Sequence, residues 1–130
     1  MTVDPTHPIL AGDYASEWLG LVVEHTEKDH ARVRMRVREE MVNGFGITHG
    51  GMIFTFADSC FALTCNDPNG DGSTITVASG VDVNFTAPTY AGQTLIAEGR
   101  LAARAGRSGV YDITVTTDDG ALVAVFRGRS

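Results

Sequence analysis

The chain has 130 residues, 43% hydrophobic and 20% charged, with a formal net charge of −6 at pH 7. That length suits one domain, 1–130, able to bury a core without staples. The acidic balance excludes the basic footprint of a nucleic-acid binder, and no apolar run approaches the roughly eighteen residues that a membrane crossing needs.

The opening residues Met1-Thr2-Val3-Asp4-Pro5 lack the basic and apolar regions of a signal peptide, so a cytoplasmic location is expected. Residues 1–18 read as an N-terminal helix or covering segment. Residues 19–27 read as a strand and Lys28-Asp29 as a turn. In the next strand Ala31, Val33, Met35 and Val37 alternate with Arg32, Arg34, Arg36 and Arg38. A period of two sets an apolar face against a row of arginines. Such a row either binds phosphates or lies solvated beside acids such as Glu24 on the neighbouring strand, and the second reading is preferred.

Residues 48–66 change period. Ile53, Phe54, Ala57, Phe61 and Cys65 keep helical spacing while Phe56, Ala62 and Leu63 cover the other sides, the pattern of a buried helix. Thr48 is its expected N-cap, and the turn residues 66–72 end it. A strand carrying Ile75, Val77, Val81, Val83 and Phe85 follows and closes at Ala87-Pro88. Strands over 93–104, 109–117 and 121–127 complete the chain, with Asp119-Gly120 as a hairpin turn. Two strands, one helix and four strands predict an α+β domain, an antiparallel sheet of five to six strands wrapped around one long buried helix. Cys60 and Cys65 both fall on that helix, more than about 7 Å apart at the Cα atoms, too far for an unstrained disulfide. Reduced thiols are expected. The four histidines look scattered, and no Cys/His cluster has metal-ligand spacing, so neither metal nor cofactor is predicted.

Two features break local rules. Gly50-Gly51 opens the helix, where each glycine costs roughly 1 kcal/mol relative to alanine. Either tight packing requires them or their bare amides must approach a ligand; a helix N-terminus suits a carbonyl oxygen becoming an oxyanion. Asp58 lies mid-helix among Phe54, Ala57, Phe61 and Ala62. An ionised carboxylate there is costly unless bonded, so it is either a structural Asp or a base or nucleophile facing a cleft. Other patterns are weaker. Gly44 to His49 misses the dinucleotide fingerprint, and Ser59 with Asp58 and His49 lacks the glycine-flanked elbow of a serine triad. Asn43-Gly44 is an ordinary turn pair whose amide could also meet a ligand. Arg104, Arg107, Ser108 and Gly109 form a hairpin loop that is either a plain turn or a phosphate holder.

The run from Asn43 to Asn66, with His49-Gly50-Gly51, then Phe54-Thr55-Phe56-Ala57-Asp58, Phe61-Ala62 and Cys65-Asn66, resembles the hotdog-fold thioesterases of phenylacetic acid catabolism. Val81 to Phe85 before Ala87-Pro88, and Arg107 to Asp112, resemble later strands of that family. The resemblance implies a hotdog fold and hydrolysis of acyl- or aryl-CoA, phenylacetyl-CoA-like or hydroxylated, without metal or cofactor. It implies a homodimer assembling to a homotetramer. It carries Asp58 over as the catalytic carboxylate and Gly50 as the amide that polarises the thioester carbonyl, with Asn43 and His49 as polar supports. Phe45 and Ile47 depart from the pattern and shape the pocket. Gly51, Phe54, Asn84, Phe85, Arg107 and Ser108 are expected to line the substrate, Arg107 facing the CoA phosphates. Asp58 activates water or attacks directly; the sequence leaves both routes open. Two rival functions remain: a hotdog dehydratase of hydroxyacyl thioesters using His49, and an acyl-CoA binding or sensing module.

Overall fold

The computed structural model describes residues 7–130. Six antiparallel strands, β1 Val22–Glu27, β2 His30–Arg36, β3 Gly80–Phe85, β4 Thr94–Ala105, β5 Ser108–Thr117 and β6 Leu122–Arg129, form one sheet in the order β1-β2-β4-β5-β6-β3. Its inner face holds α2, Gly50–Cys65, while the short α1, Tyr14–Leu19, precedes β1.

The alternation of β2 decides which face is inner. Ala31, Val33 and Met35, with Val37 just beyond the strand, are no more than 1% exposed, and Arg32 and Arg34 point outward. There Arg32 and Arg34 each lie 3.2 Å from Glu24 of β1, the acid-paired reading of the arginine row. Arg38 departs from that row. It lies past the end of β2 with its guanidinium 4.6 Å above the Trp18 ring.

The helix seats on the sheet through Ile53, Phe56, Ala57, Cys60, Phe61, Leu63 and Thr64, all buried. Phe61 sits with its ring centroid 5.7 Å from that of Tyr111 and 6.0 Å from that of Phe126. Beneath it, a Cβ on Gly128 would fall 2.6 Å from the Phe61 ring, so only glycine lets the helix come this close. The helix is buried on its sheet-facing sides, as its apolar density predicts, but not along one stripe. Gly51, Thr55, Asp58 and Ala62 recur at spacings of four, three and four, which sets them on one stripe, and that stripe is exposed or half-exposed.

Local chemistry moved several boundaries. The first strand begins at Val22 rather than residue 19, because Leu19 ends α1 and Gly20 caps it with φ of 70°. Residues 7–18 hold a short 3-10 turn, Pro8–Leu10, and most of α1; the remainder of the expected N-terminal segment lies outside the described residues. Ile75 and Val77 are 74% and 66% exposed and precede β3 instead of belonging to it. Thr76 finds its backbone partner in a side chain: Asn66 Oδ1 accepts from Thr76 N at 2.8 Å and Asn66 Nδ2 donates to Thr76 O at 2.9 Å. An amide group thus replaces a neighbouring strand. The histidines are less scattered than they look, since the rings of His25 and His30 lie 4.7 Å apart.

Phe61→Ala should destabilise the fold by about 3–5 kcal/mol, the usual range for emptying a buried aromatic site. Urea unfolding measures it, and a loss below about 1 kcal/mol would mean that Phe61 is not the pivot between helix and sheet.

Candidate active site

The N-terminal end of α2 is built by its own loop. Asn43 Oδ1 accepts from the amides of Phe45 at 2.9 Å and Ile47 at 3.4 Å, closing an Asx-type turn. Thr48 is buried, and its hydroxyl accepts from Thr89 Oγ1 at 2.7 Å. Thr48 is therefore not the cap. His49 is: its Nδ1 accepts from Gly51 N at 3.0 Å. Asn43 Oδ1, His49 Nδ1 and the Gly51 amide are thus engaged in local bonds. Asn43 shapes the loop, and Gly51 spends its amide on the cap, where a Cβ would stand 3.2 Å from the imidazole.

Gly50 is different. Its N–H has no hydrogen-bond partner among the described residues. The Phe85 ring covers its Cα, so a Cβ there would lie 3.3 Å from Phe85 Cζ. A cleft of about 420 Å³ opens beside it, lined by Asn43, Ile47, Thr48, Gly50, Phe85 and Pro88 among others. A free amide at a helix N-terminus, facing an apolar wall, is a ready donor to an oxygen that gains charge.

Asp58 stands two turns further along α2. Among the described residues it has no ion-pair or hydrogen-bond partner, and burial alone raises its carboxyl above the ordinary aspartate value. A carboxylate without partners among the described residues, on a mostly apolar helix, has its lone pairs free for chemistry. The cleft at Gly50 does not include it.

Other predicted residues lie elsewhere. Phe54 packs against Phe126 at a centroid distance of 5.5 Å rather than in the cleft. Asn84 faces the outer side of the sheet, beside Asp82 and Arg127. Phase explains it: Phe85 turns toward α2, so its neighbour must turn away. Phe45 is 90% exposed at the tip of its loop, whereas Ile47 does line the cleft. Arg107 and Ser108 are exposed at the β4–β5 hairpin, beyond the C-terminal end of α2. Cys60 and Cys65 are free thiols, pushed by burial up to about 12 and about 11, which removes them as nucleophiles. Phe85, Thr89 and Pro88 form a cleft wall that sequence reasoning joined only in part; the Ala87-Pro88 strand ending was its signal.

Residues 45–124 match the Thioesterase superfamily. The chain belongs to that family. It is 34% identical over 124 residues to the Escherichia coli acyl-coenzyme A thioesterase PaaI, spanning 95% of this chain and 86% of that protein. The solved structure of E. coli PaaI, from the phenylacetic acid degradation operon, superposes with a TM-score of 0.87, covering 94% of this chain and 86% of that one. A Streptococcus mutans protein solved with acetyl CoA bound superposes at 0.74, with 27% identity and coverage of 84% and 85%. The hotdog arrangement expected from the resemblance is the fold of this thioesterase, with six strands.

The raised Asp58 carboxyl makes a stability statement about this thioesterase. Between the ordinary aspartate value and the raised folded value the native state holds more protons than the unfolded chain. Stability therefore falls as pH rises through that window and stays reduced above it. Asp58→Asn should melt no lower than the parent at pH 7, with the difference vanishing below about pH 3.9. Melting curves across pH decide it; a mutant less stable at pH 7 would mean that the carboxylate has a structural partner.

Proposed function

We propose that this protein hydrolyses an acyl- or aryl-CoA thioester to the free acid and CoA, in active sites each built from two copies of the chain. The observation that carries this reading is an unpartnered amide at Gly50 and an unpartnered, desolvated carboxylate at Asp58 on one helix. In the reaction the thioester oxygen rests on the Gly50 amide and gains charge as its carbon is attacked. Asp58 takes the proton of the attacking water, or attacks through its own oxygen to give an anhydride that water then opens. The C–S bond breaks and the CoA thiolate leaves, taking up a proton. A raised carboxyl strengthens either route, since basicity and nucleophilicity rise together. His49 is a poor acid–base partner for a dehydratase because its Nδ1 is committed to Gly51.

Two copies are needed for a geometric reason. Eight residues of helix separate Gly50 from Asp58 by about 12 Å, whereas one reacting group must meet both within roughly 3 Å. An antiparallel pair of α2 helices around a two-fold axis brings Gly50 of one copy to Asp58 of the other. Two features support that pairing: the open stripe of Gly51, Thr55, Asp58 and Ala62, and the free edge of β3, which ends the sheet beside the cleft. In the pair, Arg107 lies beyond the C-terminal end of the helix whose Asp58 meets the other copy's Gly50, about 10 Å or more along the axis from that amide, where the CoA phosphates of a substrate seated there would reach. Assembly of dimers into a tetramer and a cytoplasmic site of action complete the proposal. The substrate class follows the flat wall that Phe85 gives the cleft, which favours an aryl-acetyl group of the phenylacetyl type.

Asp58→Asn and Gly50→Pro should each lose at least 100-fold in turnover; proline deletes the amide yet is tolerated in a first helical turn. Co-refolding equal amounts makes about half the dimers mixed, each with one intact site, so activity should return to roughly a quarter of wild type. Silence in that mixture, with mixed dimers confirmed by mass, refutes the shared site. An acyl-CoA sensor would have no turnover to lose at Asp58.

Phenylacetyl-CoA should show the higher kcat/KM when compared with palmitoyl-CoA. The reverse order would overturn the aryl assignment while leaving thioester hydrolysis in place.

A further inference from the structure

The outward face of the β1–β2 hairpin, turned away from α2, carries side chains that thioester hydrolysis does not use. β1 is bulged between Val23 and His25. Val23 is buried opposite Val33, and Thr26 is half-buried opposite Ala31, yet Glu24, His25 and Glu27 are all exposed. Strict alternation from a buried Val23 would turn His25 and Glu27 inward as well. The extra residue reverses the phase and sets both on the outer face, beside His30 of β2.

There the three side chains converge. His25 Nε2 lies 2.7 Å from Glu27 Oε1, and His30 Nδ1 lies 3.1 Å from the same oxygen. The other ring nitrogen of His30, Nε2, lies 2.6 Å from Glu98 Oε2 on β4. A neutral imidazole has one N–H. When neutral His30 donates it to Glu98, its bare Nδ1 faces Glu27 Oε1, acceptor against acceptor. Either a second proton or a cation must stand between them.

We propose that His25, Glu27 and His30 form a divalent-cation site for Zn²⁺ or a similar borderline ion, with Glu98 orienting His30. One ligand atom from each of the three residues lies within 4.8 Å of the others. Tetrahedral ligands at about 2.0–2.1 Å from zinc stand roughly 3.3 Å apart, so small torsional changes of the exposed His25 and Glu27 toward the half-buried His30 close the site. Two imidazoles and one carboxylate suit Zn²⁺, Co²⁺ or Ni²⁺ better than Mg²⁺ or Ca²⁺. A carboxylate on the far nitrogen of a ligating histidine fixes its tautomer and raises its basicity, and Glu98 stands there. The nearby cations do not compete for Glu27. Arg32 and Arg34 pair with Glu24, and Arg100 lies 3.0 Å from Glu98. The partners of Glu27 among the described residues are the two imidazoles. The ion would cross-link the edge strand β1 to β2 and leave its remaining coordination to water.

The experiment uses tag-free, chelator-stripped protein at pH 7.5. Co²⁺ titration followed by visible absorption, with Zn²⁺ displacing it, should saturate at one equivalent per chain. His25→Gln or His30→Gln should weaken binding at least tenfold, and Glu98→Gln roughly 10–100-fold through loss of orientation. Zn²⁺ should raise the melting temperature of the parent and not of His30→Gln. Lowering the pH to 5.5 should release the ion as protons compete. Circular dichroism confirms that the variants, altered only at the surface, remain folded. No saturable binding, or equal affinity in the parent and in the His25→Gln/His30→Gln double variant, overturns the site.

Discussion

The structure depends on how closely one helix can approach the sheet that wraps it. Phe61 of α2 lies on the bare Cα of Gly128, between the rings of Tyr111 and Phe126, and that contact fixes both the height and the rotation of the helix. With the rotation set, the positions of the other side chains follow. Phe56, Ala57 and Cys60 go into the core, and the stripe of Gly51, Thr55, Asp58 and Ala62 faces out. Turning the helix by one residue, about 100°, would either bury the carboxylate completely or hand it to solvent. The half-buried state that raises its basicity is a consequence of packing on the opposite side of the helix.

The loop before α2 answers to a different constraint. A helix start leaves four amides without intrahelical partners. Here the His49 ring takes that of Gly51, and that of Gly50 is left over. Thr48 and Thr89 hold the loop by a buried hydroxyl pair, and Asn43 closes its turn, so three local contacts hold the loop that presents the free amide. Preorganisation of this kind is what gives a single donor its worth in a low-dielectric cleft.

The fold was legible wherever one period dominated. The alternation of β2 and the apolar density of α2 placed the core and suggested the sheet-around-helix architecture, and Asp58 stood out because a carboxylate has no cheap reason to be there. What was not legible came from side chains that imitate backbone. Asn66 pairs with Thr76 as a strand would, so Ile75 and Val77 alternate without belonging to the sheet. His49 caps where Thr48 has the better propensity, because a long-range bond to Thr89 had already claimed the threonine. Asn84 fell on the wrong face for the cleft through phase alone, one residue from Phe85. The neighbourhood of His25 and His30 was hidden by the bulge, which no pattern of two or 3.6 reveals.

That bulge also bears on assembly. A sheet with two open edges can associate through either, and an exposed row of unpaired backbone groups invites pairing. β1 is blunted: it is bulged, and its outer face carries Glu24, His25 and Glu27. β3 has no irregularity in its pairing with β6, and Val81, Val83 and Phe85 line its inner side. One inserted residue in β1 thus does two things: it gathers the histidine cluster and blunts that edge against strand pairing. β3 is the strand whose Phe85 covers Gly50, so the regular edge of the sheet is the one beside that free amide.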